Sequence, residues 1–216
     1  MSLTMPEELL LLMLDDETGR LFDRAAPSGD YALAASVLAE LLVEGRIQTD
    51  PEHLAVTNPA PTGDAVLDDV LARIRGETTP HGTRWWIETL GSEAEGLRDR
   101  YFDRLVERGV LKMEEGRFLW IFPERRYPVV SDKEEREVKA RLMAVIFDDH
   151  MPSPRDALLI GLVRAAGLFP LLLASHELDS VQPRIDAVAE QQELSRTLTD
   201  AVRDIFTDLA RVGPVI

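Results

Sequence analysis

One local pattern occurs twice in this chain. Leu41-Leu42-Val43-Glu44-Gly45-Arg46-Ile47 resembles Leu105-Val106-Glu107-Arg108-Gly109-Val110-Leu111. In both, apolar residues at helical spacing run into a glycine, and a hairpin-like stretch follows. Glycine stops a helix there because it takes the left-handed backbone at no steric cost. Helix-then-hairpin is the winged-helix arrangement, so two wing-like units in one domain are expected. Two copies do not make a solenoid, which needs about three or more. No linker rich in Gly or Ser interrupts the chain. Residues 1–216 therefore read as a single domain, long enough to bury a full core.

Helical periodicity dominates the rest. Glu7 to Leu14 begins a helix that Asp15-Asp16-Glu17-Thr18-Gly19 ends in a turn. Leu33, Val37, Leu41 and Leu42 form one stripe, and Ile47 to Val56 reads as a short hairpin around Asp50-Pro51-Glu52. Asp64 is a plausible N-cap for a helix carrying Val66, Leu67, Val70, Leu71 and Ile74. Further helices hold Trp85 to Leu90, and Leu97, Tyr101 and Leu105. A second hairpin is expected from Val110 to Met113 and Arg117 to Phe122, turning at Glu114-Glu115-Gly116-Arg117 and ended by Pro123 and Pro128. Stripes at Val138, Leu142, Val145 and Ile146, then at Leu198, Val202, Ile205, Phe206 and Leu209, make the C-terminal third helical. The fold class is mainly α, a single globular helical domain with short β-hairpins, one of them projecting and apolar.

Ala157 to Ala174 is nearly all apolar and long enough to cross a bilayer. Arg164 near its centre would cost about 2.5–3.5 kcal/mol there, and Pro170 interrupts it. A buried core helix is the expected reading.

The formal net charge of -15 argues against general nucleic-acid binding, which needs a broad basic surface. A winged-helix DNA reading therefore rests on the helix–hairpin pattern alone. There is no cysteine, hence no disulfide framework and no thiolate metal site, which fits a reducing interior. The start, Met1-Ser2-Leu3-Thr4-Met5-Pro6-Glu7-Glu8, lacks the basic n-region of a secretory signal. Of 24 basic residues only Lys112, Lys133 and Lys139 are lysine, a usage that points to a GC-rich bacterial gene.

No catalytic constellation stands out. His53, His81, His150 and His176 show no metal-ligand spacing, and Asp148-Asp149-His150 is read as a solvated helix end. Ser36, Ser131, Ser153 and Ser175 lie in no nucleophile elbow. The expected protein is not an enzyme and carries no cofactor or metal.

Two features suggest binding. Arg100, Arg104 and Arg108 recur every four residues along one helix face, with Arg98 beside the apolar stripe. Asp99, Asp103 and Glu107 share an adjacent face, so a solvated helix laced with ion pairs is favoured for Arg104 and Arg108. Guanidinium groups also match phosphate bidentately. The second feature is Phe118-Leu119-Trp120-Ile121-Phe122, five bulky apolar residues in a row. Read as a strand, Phe118, Trp120 and Phe122 share one face and Leu119 and Ile121 the other. Such a strand is covered within the domain, covered by a second copy, or laid on lipid beside the arginines.

These residues resemble a known family. Glu7-Glu8-Leu9-Leu10-Leu11-Leu12, Leu38-Ala39-Glu40-Leu41 with Gly45-Arg46-Ile47, and Ala60-Pro61-Thr62-Gly63-Asp64 with Leu67-Asp68 are similar to segments of the Golgi phosphoprotein 3 family. So are Trp86-Ile87-Glu88, Leu105 to Leu111 and Phe118-Leu119, in order, from about Glu7 to Glu190. The resemblance implies a helical domain that binds phosphatidylinositol 4-phosphate at the membrane face and holds short cytoplasmic tails of membrane enzymes. It implies membrane contact and self-association through the hairpin that Phe118, Leu119, Trp120, Ile121 and Phe122 match. Of the family's head-group arginines, one position falls on Ala34, one on Glu95 and one on Arg98, with Arg100 beside it. The expected site is Arg98 and Arg100 for an anionic head group and the hairpin for the bilayer. The alternative is a soluble homo-oligomeric interaction module.

Overall fold

Helix α2 (Ser28–Val43) is apolar on every side, and a helix of that kind is stable only when surrounded. The computed structural model surrounds it with α1 (Met5–Leu12), α4 (Thr83–Gly91), α5 (Ala94–Glu107), α7 (Pro154–Ala165) and α10 (Glu193–Val212). It describes residues 3–15, 18–22, 28–49, 52–118, 122–190 and 193–212, with backbone alone at 115–118, 122–125, 193–195, 206 and 209–212. The alanines at 32, 34, 35 and 39 let neighbouring helices approach α2 closely, and Leu33, Val37, Leu38 and Leu41 fill the spaces between them. The remaining helices are α3 (Ala65–Gly76), α6 (Asp132–Phe147), α8 (Phe169–Leu172) and α9 (Ser175–Glu190). Two antiparallel hairpins complete the described chain, β1 (Ile47–Thr49) with β2 (Leu54–Val56), and β3 (Glu114–Phe118) with β4 (Phe122–Arg126). The fold class is mainly α with short hairpins, as the periodicity implies.

The repeated sequence pattern is one capping motif used twice. Gly45 has φ 65° and its N–H donates to the Leu42 carbonyl at 3.0 Å, while Arg46 N–H donates to Leu41 at 2.8 Å. Gly109 has φ 71° and bonds Val106 at 2.9 Å, while Val110 bonds Leu105 at 2.9 Å. These are paired Schellman caps, which satisfy carbonyls that the helix itself leaves open. A third, at Gly167 (φ 67°), cuts the apolar run expected as one buried helix. That run is α7, a turn, and then α8. Arg164, at the end of α7, reaches Asp186 at 2.6 Å. Among the described residues no helix is long and apolar enough to cross a membrane.

Side-chain caps fix the helix starts. Asp64 accepts from the Val66 and Leu67 N–H groups at 2.8 and 3.2 Å, the N-cap role its position suggests. Ser153 accepts from Asp156 N–H at 3.1 Å, with Pro154 in the first turn of α7. Asp148-Asp149-His150 closes the C-terminus of α6. Asp149 has φ 56°, His150 N–H returns to the Ala144 carbonyl at 3.1 Å, and Arg184 holds Asp149 at 3.0 Å.

Two glycines separate backbone strain from steric clash. Gly45 and Gly19 both have φ 65°, but a Cβ on Gly45 meets open space, whereas one on Gly19 would sit 2.5 Å from the Pro128 nitrogen. Gly45→Ala is expected to lower unfolding free energy by about 1 kcal/mol through backbone strain alone. Gly19→Ala should lose more than about 2 kcal/mol and loosen the Tyr127 N–H to Gly19 carbonyl bond, now 2.6 Å. Urea unfolding midpoints check the pair, and equal losses would contradict the assignment.

Candidate functional site

The arginines of α5 divide into two groups by the burial of their partners. Arg104 Nε donates to Glu7 Oε1 at 2.8 Å and its Nη2 to Thr4 Oγ1 at 2.9 Å, while its Nη1 also meets Asp64. Arg108 Nη1 donates to both oxygens of Glu7 at 2.9 and 3.0 Å. The Glu7 side chain is 0% exposed, so these two guanidinium groups are drawn inward against α1 and the start of α3. The solvated, self-paired helix face expected for Arg104 and Arg108 is therefore corrected. Their described partners come from distant segments, because the fully buried Glu7 carboxylate must be neutralised and these two cations are the groups that reach it.

Arg98 and Arg100 are held differently. Arg98 Nη1 donates to Asp30 Oδ1 at 2.6 Å, and Arg100 Nη2 donates to Asp69 Oδ2 at 2.6 Å and to the Ala65 carbonyl at 3.1 Å. Asp69 is 63% exposed, and an ion pair so open to water contributes little. Burial pushes the Asp30 carboxyl above its ordinary range. Arg98 opposes that shift and Glu95 adds to it. Ala34 lies in the core of α2 and offers no surface contact, while Glu95 is exposed at the first turn of α5.

The second hairpin differs from its expected register. Glu114, Glu115, Gly116 and Arg117 are not a turn but the body of β3. The pairs are Glu114 with Arg126, Glu115 with Arg125, Gly116 with Glu124, Arg117 with Pro123 and Phe118 with Phe122. Opposite charges at two successive cross-strand pairs favour this register over one built on the apolar run. Pro123 sits within β4 rather than ending it. In a two-stranded ribbon alternate N–H groups face outward, so proline need not cost a ladder bond. Phe118 and Phe122 therefore form the last pair of the ribbon, and Leu119, Trp120 and Ile121 between them lie outside the described residues.

The ribbon is anchored at its base. Lys112 N–H donates to the Pro128 carbonyl at 3.0 Å, Val130 N–H to Val110 at 2.9 Å, and Leu111 bridges Val129. The Tyr127 ring stacks on Phe102 of α5 with centroids 4.0 Å apart. Met113 and Val130 flank this base and are 48% and 60% exposed. Sequence reading missed both, since each is one apolar residue beside a strand. It also missed Asp30, whose only visible signal is an acid in the first turn of a helix.

A charged cluster continues on the far side of α1. Glu8 pairs with Arg141 at 3.1 Å and Arg155 at 3.3 Å, and Arg155 also holds Glu40 at 2.8 Å. Burial raises the Glu8 carboxyl above its ordinary range, against the pull of Arg155 and Arg141. These groups brace helices rather than present a reactive centre. Among the described residues no group of three or more His, Asp or Glu is placed to hold a metal ion.

A bundle around an apolar α2, a buried carboxylate bracing α5, and a two-stranded ribbon define a helical scaffold with a projecting hairpin. The chain belongs to the Golgi phosphoprotein 3 (GPP34) family, whose model matches residues 5–205. That family consists of non-catalytic adaptors. The chain is similar to Vacuolar protein sorting-associated protein 74 of Schizosaccharomyces pombe, 25% identical over 219 residues. The match covers 90% of this chain and 64% of the relative, so the chain spans just under two thirds of that relative's length.

The two arginine groups differ in what their loss should cost. Glu7→Gln leaves Arg104 and Arg108 without their shared charge partner and is expected to destabilise the fold by roughly 3 kcal/mol. Asp69→Asn, at the open pair, should change stability by less than about 1 kcal/mol. Thermal unfolding of both variants checks this, and a small loss for Glu7→Gln would contradict the bracing role.

Proposed function

We propose that this chain is a peripheral, non-enzymatic adaptor that docks reversibly on an anionic phospholipid surface. The observation that supports it best is the division of α5. Arg104 and Arg108 are bound to a buried carboxylate, whereas Arg98 and Arg100 rest on carboxylates that water reaches. Arg100 can exchange its open partner for phosphate at modest cost, and Arg98 has a single described carboxylate to displace. The apolar end of the ribbon, Phe118 to Phe122, would enter the interface, with Met113 and Val130 widening the apolar contact at its base.

The head-group contact is one of charge. With Ala34 buried and Glu95 acidic at two arginine positions of the family, Arg98 and Arg100 cannot chelate one phosphate from several sides. A phosphatidylinositol 4-phosphate-like head group is then one acceptable anion among others. Each basic residue near an anionic surface contributes about 1 kcal/mol, so binding is reversible, and self-association would strengthen it by multiplying the tips. Cytoplasmic tails of membrane proteins are the proposed cargo, and the location is cytoplasmic at a membrane face. The arginine-rich composition supports a bacterial-type member.

A second reading is favoured by the same ribbon. Phe118 opposite Phe122, with Met113 and Val130 exposed below, also suits the corresponding face of a second copy. Flotation with anionic liposomes separates the two. Trp120→Ala with Phe122→Ala is expected to abolish flotation. Unchanged flotation would refute the anchor, while a parent that assembles but does not float, and an unassembled double variant on gel filtration, would establish the soluble oligomer instead.

A further inference from the structure

Arg98 is already occupied. Its Nη1 donates to Asp30 at 2.6 Å across the contact between α5 and α2, and the two side chains are 24% and 26% exposed. A carboxylate and a phosphate compete for the same edge of a guanidinium group, because both present two oxygens in its plane. Arg104 is fixed by three side chains from two other segments, whereas Arg98 has a single described carboxylate partner.

We infer that Asp30 is a built-in competitor for the anion at Arg98, so that a phosphate head group binds by taking its place and the displaced carboxyl takes up a proton. The inference rests on the membrane reading and adds a regulation of the same site. The balance is simple: one phosphate oxygen replaces one Asp30 oxygen on Arg98, and one proton passes from solvent to Asp30.

The surroundings of Asp30 favour that proton. Burial raises its carboxyl, Arg98 alone opposes, and Glu95 adds its own negative charge from the first turn of α5. On α4, Gly91 lies against the ring of Tyr31, the residue after Asp30. Once Arg98 turns to phosphate, Asp30 loses its one opposing charge and keeps Glu95. A bound state that holds one more proton than the free state is favoured as pH falls. Anionic membranes also concentrate protons at their surface, so the lipid both competes with Asp30 and helps to neutralise it.

The test uses the whole chain and vesicles of phosphatidylglycerol, whose phosphodiester charge is constant over the range examined, with phosphatidylcholine vesicles as control. Asp30→Asn keeps an oxygen for Arg98 and removes the charge. At about pH 7 it is expected to bind phosphatidylglycerol about fivefold more tightly than the parent. The parent should gain affinity more steeply than the variant as pH falls, since the Asp30 carboxyl is raised above its ordinary range. The gain must also vanish when Arg98→Gln is added. Equal or weaker binding by Asp30→Asn, equal pH slopes, or a gain that survives Arg98→Gln would overturn the competitor role. If the parent floats through its hairpin and Asp30→Asn brings nothing, this inference falls alone. If neither protein floats, the membrane reading falls with it.

Discussion

The Glu7 carboxylate ties α5 to α1 and so orders the candidate site. It is fully buried, it closes the capping box of α1 through Thr4 N–H at 2.7 Å, and it takes hydrogen bonds from Arg104 and Arg108. A buried charge of this kind is tolerated only with its partners in place, so it fixes the rotation of α5 about its own axis. Arg104 extends the brace to Asp64, which is itself engaged in capping α3. With the later turns of α5 fixed in this way, Arg98 and Arg100 are left on the side of Asp30 and Asp69. The C-terminal cap at Gly109 then sets where the chain leaves for the second hairpin.

The helices were legible because their apolar residues recur at helical spacing and because glycine and proline punctuate them. Gly45 and Gly109 adopt the left-handed backbone that the repeated pattern implies, and Asp64 caps α3 from its expected place. The second hairpin was less legible. Five consecutive apolar residues carry no alternation, so the run could not reveal its own register. The pairing of Glu114 and Glu115 with Arg126 and Arg125 is set from outside that run. Gly167 ended α7 inside a segment whose hydropathy is continuous.

The partners of the arginines were not legible at all. Arg98 and Asp30 are 68 residues apart, and Arg104 and Glu7 are 97 apart. Spacing along one helix suggests local ion pairs, and only the tertiary fold shows that buried acids displace them. The same limit applies to the site. Arg98 and Arg100 could be named from the chain, but what distinguishes them from Arg104 and Arg108 is the exposure of their partners. For a chain of net charge -15, the proposed attraction to an anionic surface must come from such a local arrangement and not from the protein as a whole.

Hydrogen–deuterium exchange with and without vesicles tests this account most directly. Anionic vesicles should slow exchange in the hairpin at 112–128 and in the first turns of α5, and leave the braced half of α5 unchanged. Neutral vesicles should do neither. Protection absent from the hairpin, or confined to α7, α9 and α10, would contradict the claim that α5 and its ribbon form the contact surface.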